Sequence, residues 1–189
     1  AEGGSVKLAR ATGGVTVVGT ALDVVLSGGR DFNLTLDGGT ADVRRAIGTV
    51  SLDLDSVAFR AYQIRSESPM RFRARGGTIN LLNARGAIEL RLKGTELALA
   101  HCSGDVDVET DAAVRFEDLD ADLHVDGIGA SVHGKKIRGL LEVLTSGAEV
   151  VAEGLAGPVR LEGNALDVIL SNVEDEVVAY TSGSRVAIQ

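Results

Sequence analysis

Arg71, Arg73, Arg75, Arg91 and Lys93 are the residues of this 189-residue chain whose types and spacing best fit a chemical role. They alternate along the chain, so in extended backbone each set shares one outward face. Arg73 and Arg91 lie 18 positions apart, as do Arg75 and Lys93. A fold whose repeat has that same length would stack them into a basic ladder, and like charges at strand spacing repel unless a counter-charge sits nearby. An anion, a protein partner or the acidic half of a second copy would relieve that repulsion, so this face is the expected anion or partner surface. Four carboxylates, Asp105, Asp107, Glu109 and Asp111, also alternate outward. They could hold Ca²⁺ loosely, but a solvated strand face is the plainer role. His124 and His133 occupy equivalent places in consecutive nine-residue units and so fall on different walls, which argues against a two-histidine metal site. Cys102 falls at an inward position as a small apolar residue, while its neighbour His101 points to the opposite face. No catalytic residue, metal or cofactor is assigned by these patterns.

The elements that position these residues follow a period of nine. Val106, Val114, Leu123, Val132, Leu141, Val150, Val159, Val168, Val177 and Val186 open successive units, nine apart after one eight-residue step. Two places later comes a second inward residue in each unit, apolar throughout except at Gly134. The frame runs backwards through Leu97, Ile88, Ile79 and Met70 to Phe59, Val50, Ala41, Phe32, Val24, Val15 and Val6. Each unit thus reads as a short alternating strand closed by a turn rich in Gly, Ser, Asn and Asp. At the sixth place of alternate units stands an apolar or small residue (Ala46, Ile64, Ala84, Cys102, Leu119, Ile137, Leu155, Val173), and between them mostly a polar one. Ile128 is the exception. The true repeat is therefore about 18 residues in two unequal halves, which predicts an all-β, single-domain β-solenoid (β-helix) of about ten coils over residues 1–189. An antiparallel meander closed into a barrel or propeller is the alternative. Two irregularities stand out: the segment IRSESP (Ile64 to Pro69), expected to protrude as a turn or bulge, and Gly134-Lys135-Lys136, expected to interrupt a strand.

Composition agrees with a narrow stacked core: 44% of residues are apolar but 3% aromatic, with 24 Gly and no Trp. All four Phe fall at inward places, leaving few aromatic platforms for sugars or bases. No apolar run approaches the roughly 20 residues that span a bilayer, so no membrane-spanning segment is expected. A start at Ala1 without Met fits a processed secreted protein or a piece of a longer one. The net charge of −8 is unevenly spread: residues 44–93 hold ten Lys/Arg against four Asp/Glu, and residues 94–189 hold six against eighteen. Such polarity can steer an anionic partner or a second subunit, whereas the negative total disfavours nucleic acid.

The units CSGDVDVET, DADLHVDGI, VLTSGAEVVAEGLAGPVRLEGNALDVILSNV and VVAYTSGS resemble the DUF4097 family of bacterial adhesin-like repeat proteins, from about Ile79 onward. The resemblance implies a β-solenoid, a bacterial source and association with the cell envelope or exterior, although a cytoplasmic location stays open; it brings no catalytic residues. The expected role is a non-enzymatic structural or adhesive module that binds a protein, a cell surface or itself. Val6, Leu8, Val186 and Ile188 mark strands through which copies would join end to end into a bactofilin-like filament. A polysaccharide-active β-helix enzyme, working through outward carboxylates, is the second alternative.

Overall fold

The computed structural model describes residues 2–189 and is all-β, with no helix among them. Every strand pairing is parallel, which for a chain of short units requires stacking rather than hairpins. The chain begins with β1 (Glu2–Ala9) and β2 (Val15–Tyr62), the latter 48 residues of extended backbone that wind through more than two coils. In β3 (Met70–Leu82) one half pairs with β4 (Ile88–Lys93) and the other with β5 (Glu96–Ala100). From there the strands divide between two walls. One, the even wall, continues through β6 (Val106–Glu109), β8 (Leu123–Ile128), β10 (Leu141–Ser146), β12 (Val159–Asn164) and β14 (Val177–Ser182). The other, the odd wall, continues through β7 (Val114–Leu119), β9 (Val132–Ile137), β11 (Glu149–Leu155), β13 (Asp167–Val173) and β15 (Arg185–Ile188). This is a solenoid of about ten turns, on the order of 50 Å long at strand spacing. The meander is excluded, because no consecutive half-units among the described residues pair as a hairpin.

The polypeptide turns because one residue per coil adopts left-handed backbone at a fixed corner. Arg10, Gly28, Arg45, Gln63, Asn83, His101, Asp118, Lys136, Gly154 and Asn172 stand at the corner where the odd-wall strands end, with φ between 52° and 71°. A single left-handed residue bends the strand and reverses its alternation, so the next side chain points inward again. That is the apolar sixth place: Ala46, Ile64, Ala84, Cys102, Leu119, Ile137 and Leu155 are buried and Val173 is half-buried. The ladder survives the bend. Asn83 N–H donates to Ala100 O at 2.9 Å, His101 N–H to Glu117 O at 2.9 Å, and Ser103 N–H to Ala84 O at 2.9 Å.

A second left-handed corner, mostly glycine, follows the even wall at Ala21, Gly38, Ser56, Gly76, Gly94, Gly129, Gly147, Ala165 and Gly183. The short unit from Val106 to Val114 lacks it. There the Ala112 N–H donates to Thr110 Oγ1 at 3.1 Å, a side-chain turn that takes one residue fewer. This shortens the register from 18 to 17 at Leu97↔Val114 and Val106↔Leu123. Ile128 stands beside the corner glycine Gly129 and is 82% exposed, which accounts for its exception to the polar pattern.

Inside, Val, Leu and Ile form columns, and Phe59 packs edge-to-face on Phe72 across the core at 5.9 Å. The missing side chain at Gly134 is supplied by its neighbour one coil earlier. A Cβ there would lie 2.5 Å from the Phe116 ring, which is paired with Gly134 in register. Gly134-Lys135-Lys136 therefore does not interrupt the strand as expected: β9 runs unbroken, because the phenylalanine fills the glycine's space. The segment Ile64–Pro69 does protrude, with Glu67, Ser68 and Pro69 exposed, while Ser66 is buried and its Oγ accepts the Ser68 N–H at 3.2 Å. Its two extra residues lengthen the register to 20 at Ser51↔Arg71.

Two outcomes follow for equilibrium denaturation. Phe116→Ala should cost about 3–5 kcal/mol, and adding Gly134→Leu to it should recover part of that loss, although Gly134→Leu alone is destabilising; additive losses would contradict the shared cavity. At the corner, Asn83→Val should cost about 1–2 kcal/mol whereas Asn83→Gly should not.

Candidate functional site

The basic ladder lies where the repeat puts it, on the outer face of the even wall. Arg73 pairs in register with Arg91 and Arg75 with Lys93. Sequence reasoning overlooked what brackets them. Asp53 and Asp55 of β2 stand beneath Arg73 and Arg75. Above, Arg91 faces Glu109 of β6, with Nε to Oε2 at 3.7 Å. Arg71 reaches Glu89 within the band, Nε to Oε2 at 3.0 Å. The acidic stretch expected to be merely solvated is thus the upper bracket, and its Asp111 carboxylate also accepts the Gly94 N–H. Counter-charge therefore comes from the same chain, and a foreign anion is not needed to hold the ladder together. A shallow groove of about 380 Å³ remains, lined by Asp53, Arg73, Arg75, Arg91, Lys93 and Glu109. Arg73, Arg75 and Lys93 make no ion pair among the described residues.

The upper bracket was within reach of simple addition, since Glu109 and Asp111 stand one coil length beyond Arg91 and Lys93. The lower one was hidden by the two-residue insertion, which displaces Asp53 from Arg73 by 20.

A larger groove, about 560 Å³, opens on the odd wall and was not anticipated. It is lined by Ser27, Asp42, Arg44, Arg45, Arg60, Tyr62, Asn80 and Leu82. Arg44 grips Asp42 with a two-point fork, Nε to Oδ1 at 2.9 Å and Nη2 to Oδ2 at 2.7 Å. The hydrogen bond from Arg44 holds the Asp42 carboxyl below its usual range, and Asp42 in turn raises Arg44. Arg45 and Arg60 make no ion pair among the described residues, and Tyr62 is 39% exposed. Asp42 and Arg60, like Arg44 and Tyr62, stand 18 residues apart and were within reach of the repeat, whereas the two-residue insertion offsets Asn80 and Leu82 to 20.

The three histidines are dispersed. His101 Nδ1 lies 3.1 Å from Asp118, His124 Nδ1 2.9 Å from Glu142, and His133 Nε2 2.9 Å from Glu149. His124 belongs to the even wall and His133 to the odd one, as the repeat requires. Cys102 is buried in the corner column, and burial pushes its thiol up, away from the reactive thiolate. At the ends, Val6 is half-buried and Leu8 41% exposed, while Val186 and Ile188 are 40% and 54% exposed. β1 pairs with β2 on one edge, and β15 with β13.

Because Arg91 touches Glu109 across one strand spacing, Arg91→Glu should destabilise the fold by about 0.2–1 kcal/mol at low salt, less at high salt. Denaturant titrations at two ionic strengths check this; no loss at either would mean the bracket is not felt. The chain matches no family model, no curated protein and no solved structure.

Proposed function

We propose that this β-solenoid is a non-enzymatic structural module, a rigid rod that presents charged walls to a partner. The observation that carries the reading is the unbroken parallel ladder, which continues through the corners and fixes outward side chains in columns along the rod. Such a scaffold holds binding groups at set heights without any moving part. The resemblance of its turns to adhesin-like repeats supports an adhesive role at a bacterial envelope.

End-to-end association of copies is the second reading. It is favoured by the terminal rungs, which keep the internal register: Val186 pairs with Val168 and Ile188 with Leu170, while their side chains stay partly exposed. A parallel strand of like cross-section would find both hydrogen-bonding groups and apolar contacts there.

Small-angle scattering of the purified chain should give rods on the order of 50 Å long at all concentrations. A compact globule would contradict the module. Growth in length with concentration, abolished by Val186→Lys, would establish the end-to-end reading.

A further inference from the structure

The odd-wall groove continues along the rod. Arg60 and Tyr62 lie beside Asn80 and Leu82 in register, and these beside Ala98 and Ala100 of β5. Asp42 and Arg44 stand one coil length before Arg60 and Tyr62. The two alanines present little side chain, so the wall stays low above Leu82 up to a second depression, about 470 Å³, where Arg115 and Lys135 are paired with Glu96 at 3.2 Å and Glu117 at 3.1 Å and Glu153 adds a further carboxylate; the cations open to a ligand therefore lie at the Arg45–Arg60 end. A small anion would not need this length. A linear molecule would use it.

Three features of the track define what fits. Its cations suit carboxylates, as the two-point fork of Arg44 on Asp42 demonstrates in place. Asp42 also feels the charge of Arg60 one coil on, so a single carboxylate is set against Arg44, Arg45 and Arg60 and the groove stays positive, although the chain as a whole carries −8. The exposed Tyr62 ring offers an apolar face with a polar rim, and the Asn80 amide both donates and accepts hydrogen bonds. Nucleic acid fits poorly, because its dense phosphate charge needs many cations and its bases need several aromatic platforms. A polymer with spaced carboxylates and hydroxyl-rich rings fits all three.

We propose that this track binds a linear acidic polysaccharide whose charge is carried by carboxylates on its sugar rings. Arg60 and Arg45 receive carboxylates, Tyr62 packs against a sugar face, and Asn80 bonds ring hydroxyls. The assignment rests on the reading of the chain as a rigid display module and names the ligand class of one wall.

Calorimetric titration with polygalacturonate oligomers, near 0.1 M salt, tests it. The wild-type chain should bind, and Arg60→Ala and Tyr62→Ala should each weaken binding about tenfold or more. Arg73→Ala, on the even wall, should leave affinity unchanged, and neutral dextran should not bind. Thermal unfolding of each variant checks folding, with Arg60→Gln as the replacement if Arg60→Ala fails to fold. Absence of polygalacturonate binding would overturn the proposal. So would equal losses in Arg73→Ala, which would mark diffuse attraction, or equally tight binding of polyglutamate or an oligothymidylate, which would remove the sugar from the recognition. Scattering from the same samples reports the rod independently, so failure of the track leaves the display module standing if rods are seen.

Discussion

The left-handed residue at each odd-wall corner is the constraint on which this structure depends. A parallel ladder alone would let the strands run on as a flat sheet with both faces wet. One residue per coil near φ +55° folds the strand back and returns the following side chain to the interior. The positions filled by Arg45, Gln63, His101 and Lys136 are therefore strained by about 1–2 kcal/mol each on the usual scale for L-residues, while Asn83 and Asp118, whose short polar side chains tolerate this backbone, are strained less. What offsets the strain is local: an inward aliphatic, or Cys102 after His101, immediately follows it, and ladder hydrogen bonds continue through the corner. Gly28 and Gly154 meet the same demand without that strain.

Once the corners fix the length of the coil, surface chemistry becomes a matter of columns. Every outward residue meets the residues one coil above and below, whatever their distance along the chain. The even wall shows what this does to charge: a basic band that looks unpaired in the sequence is flanked by Asp53 and Asp55 on one side and Glu109 and Asp111 on the other. Exposed pairs of this kind add little stability individually. Arg71 and Arg91 are paired in this way, while Arg73 and Arg75 have Asp53 and Asp55 as register neighbours without a direct ion pair. On the odd wall Asp42 is gripped by Arg44 and also feels Arg60 one coil on, so one carboxylate faces several arginines beside Tyr62.

Much of this could be read from the chain. The nine-residue frame located most of the buried residues, because inward places tolerate little but aliphatics, and the inward sixth place revealed the coil length; it missed the column Leu36, Leu54, Ala74 and Leu92 that closes the even wall, and Val57, Ala130, Ala148 and Leu166 beyond its corner. Gly134 looked like a defect, since periodicity sees each position alone; only the pairing with Phe116 shows that one ring serves two rungs. The left-handed corner was illegible for a related reason. Arg, Gln, Asn, His, Asp and Lys all occupy it, so no residue type announces it, and only position does. The odd-wall groove was only partly within reach: Asp42 and Arg60, and Arg44 and Tyr62, stand one coil length apart, but the insertion at Ile64–Pro69 offsets Asn80 and Leu82 to 20, and Arg45 joins them only at the corner.

The most direct test of the coil is the pattern of backbone nuclear Overhauser contacts in solution. The structure places Val143 beside Leu161, and Ala152 beside Leu170, each pair separated by one full coil. Contacts between such pairs, with the sequential half-units Leu141–Ser146 and Glu149–Leu155 showing none of the cross-strand contacts of a hairpin, are what the account predicts. Cross-strand contacts between those neighbouring half-units would mean an antiparallel meander and would contradict it.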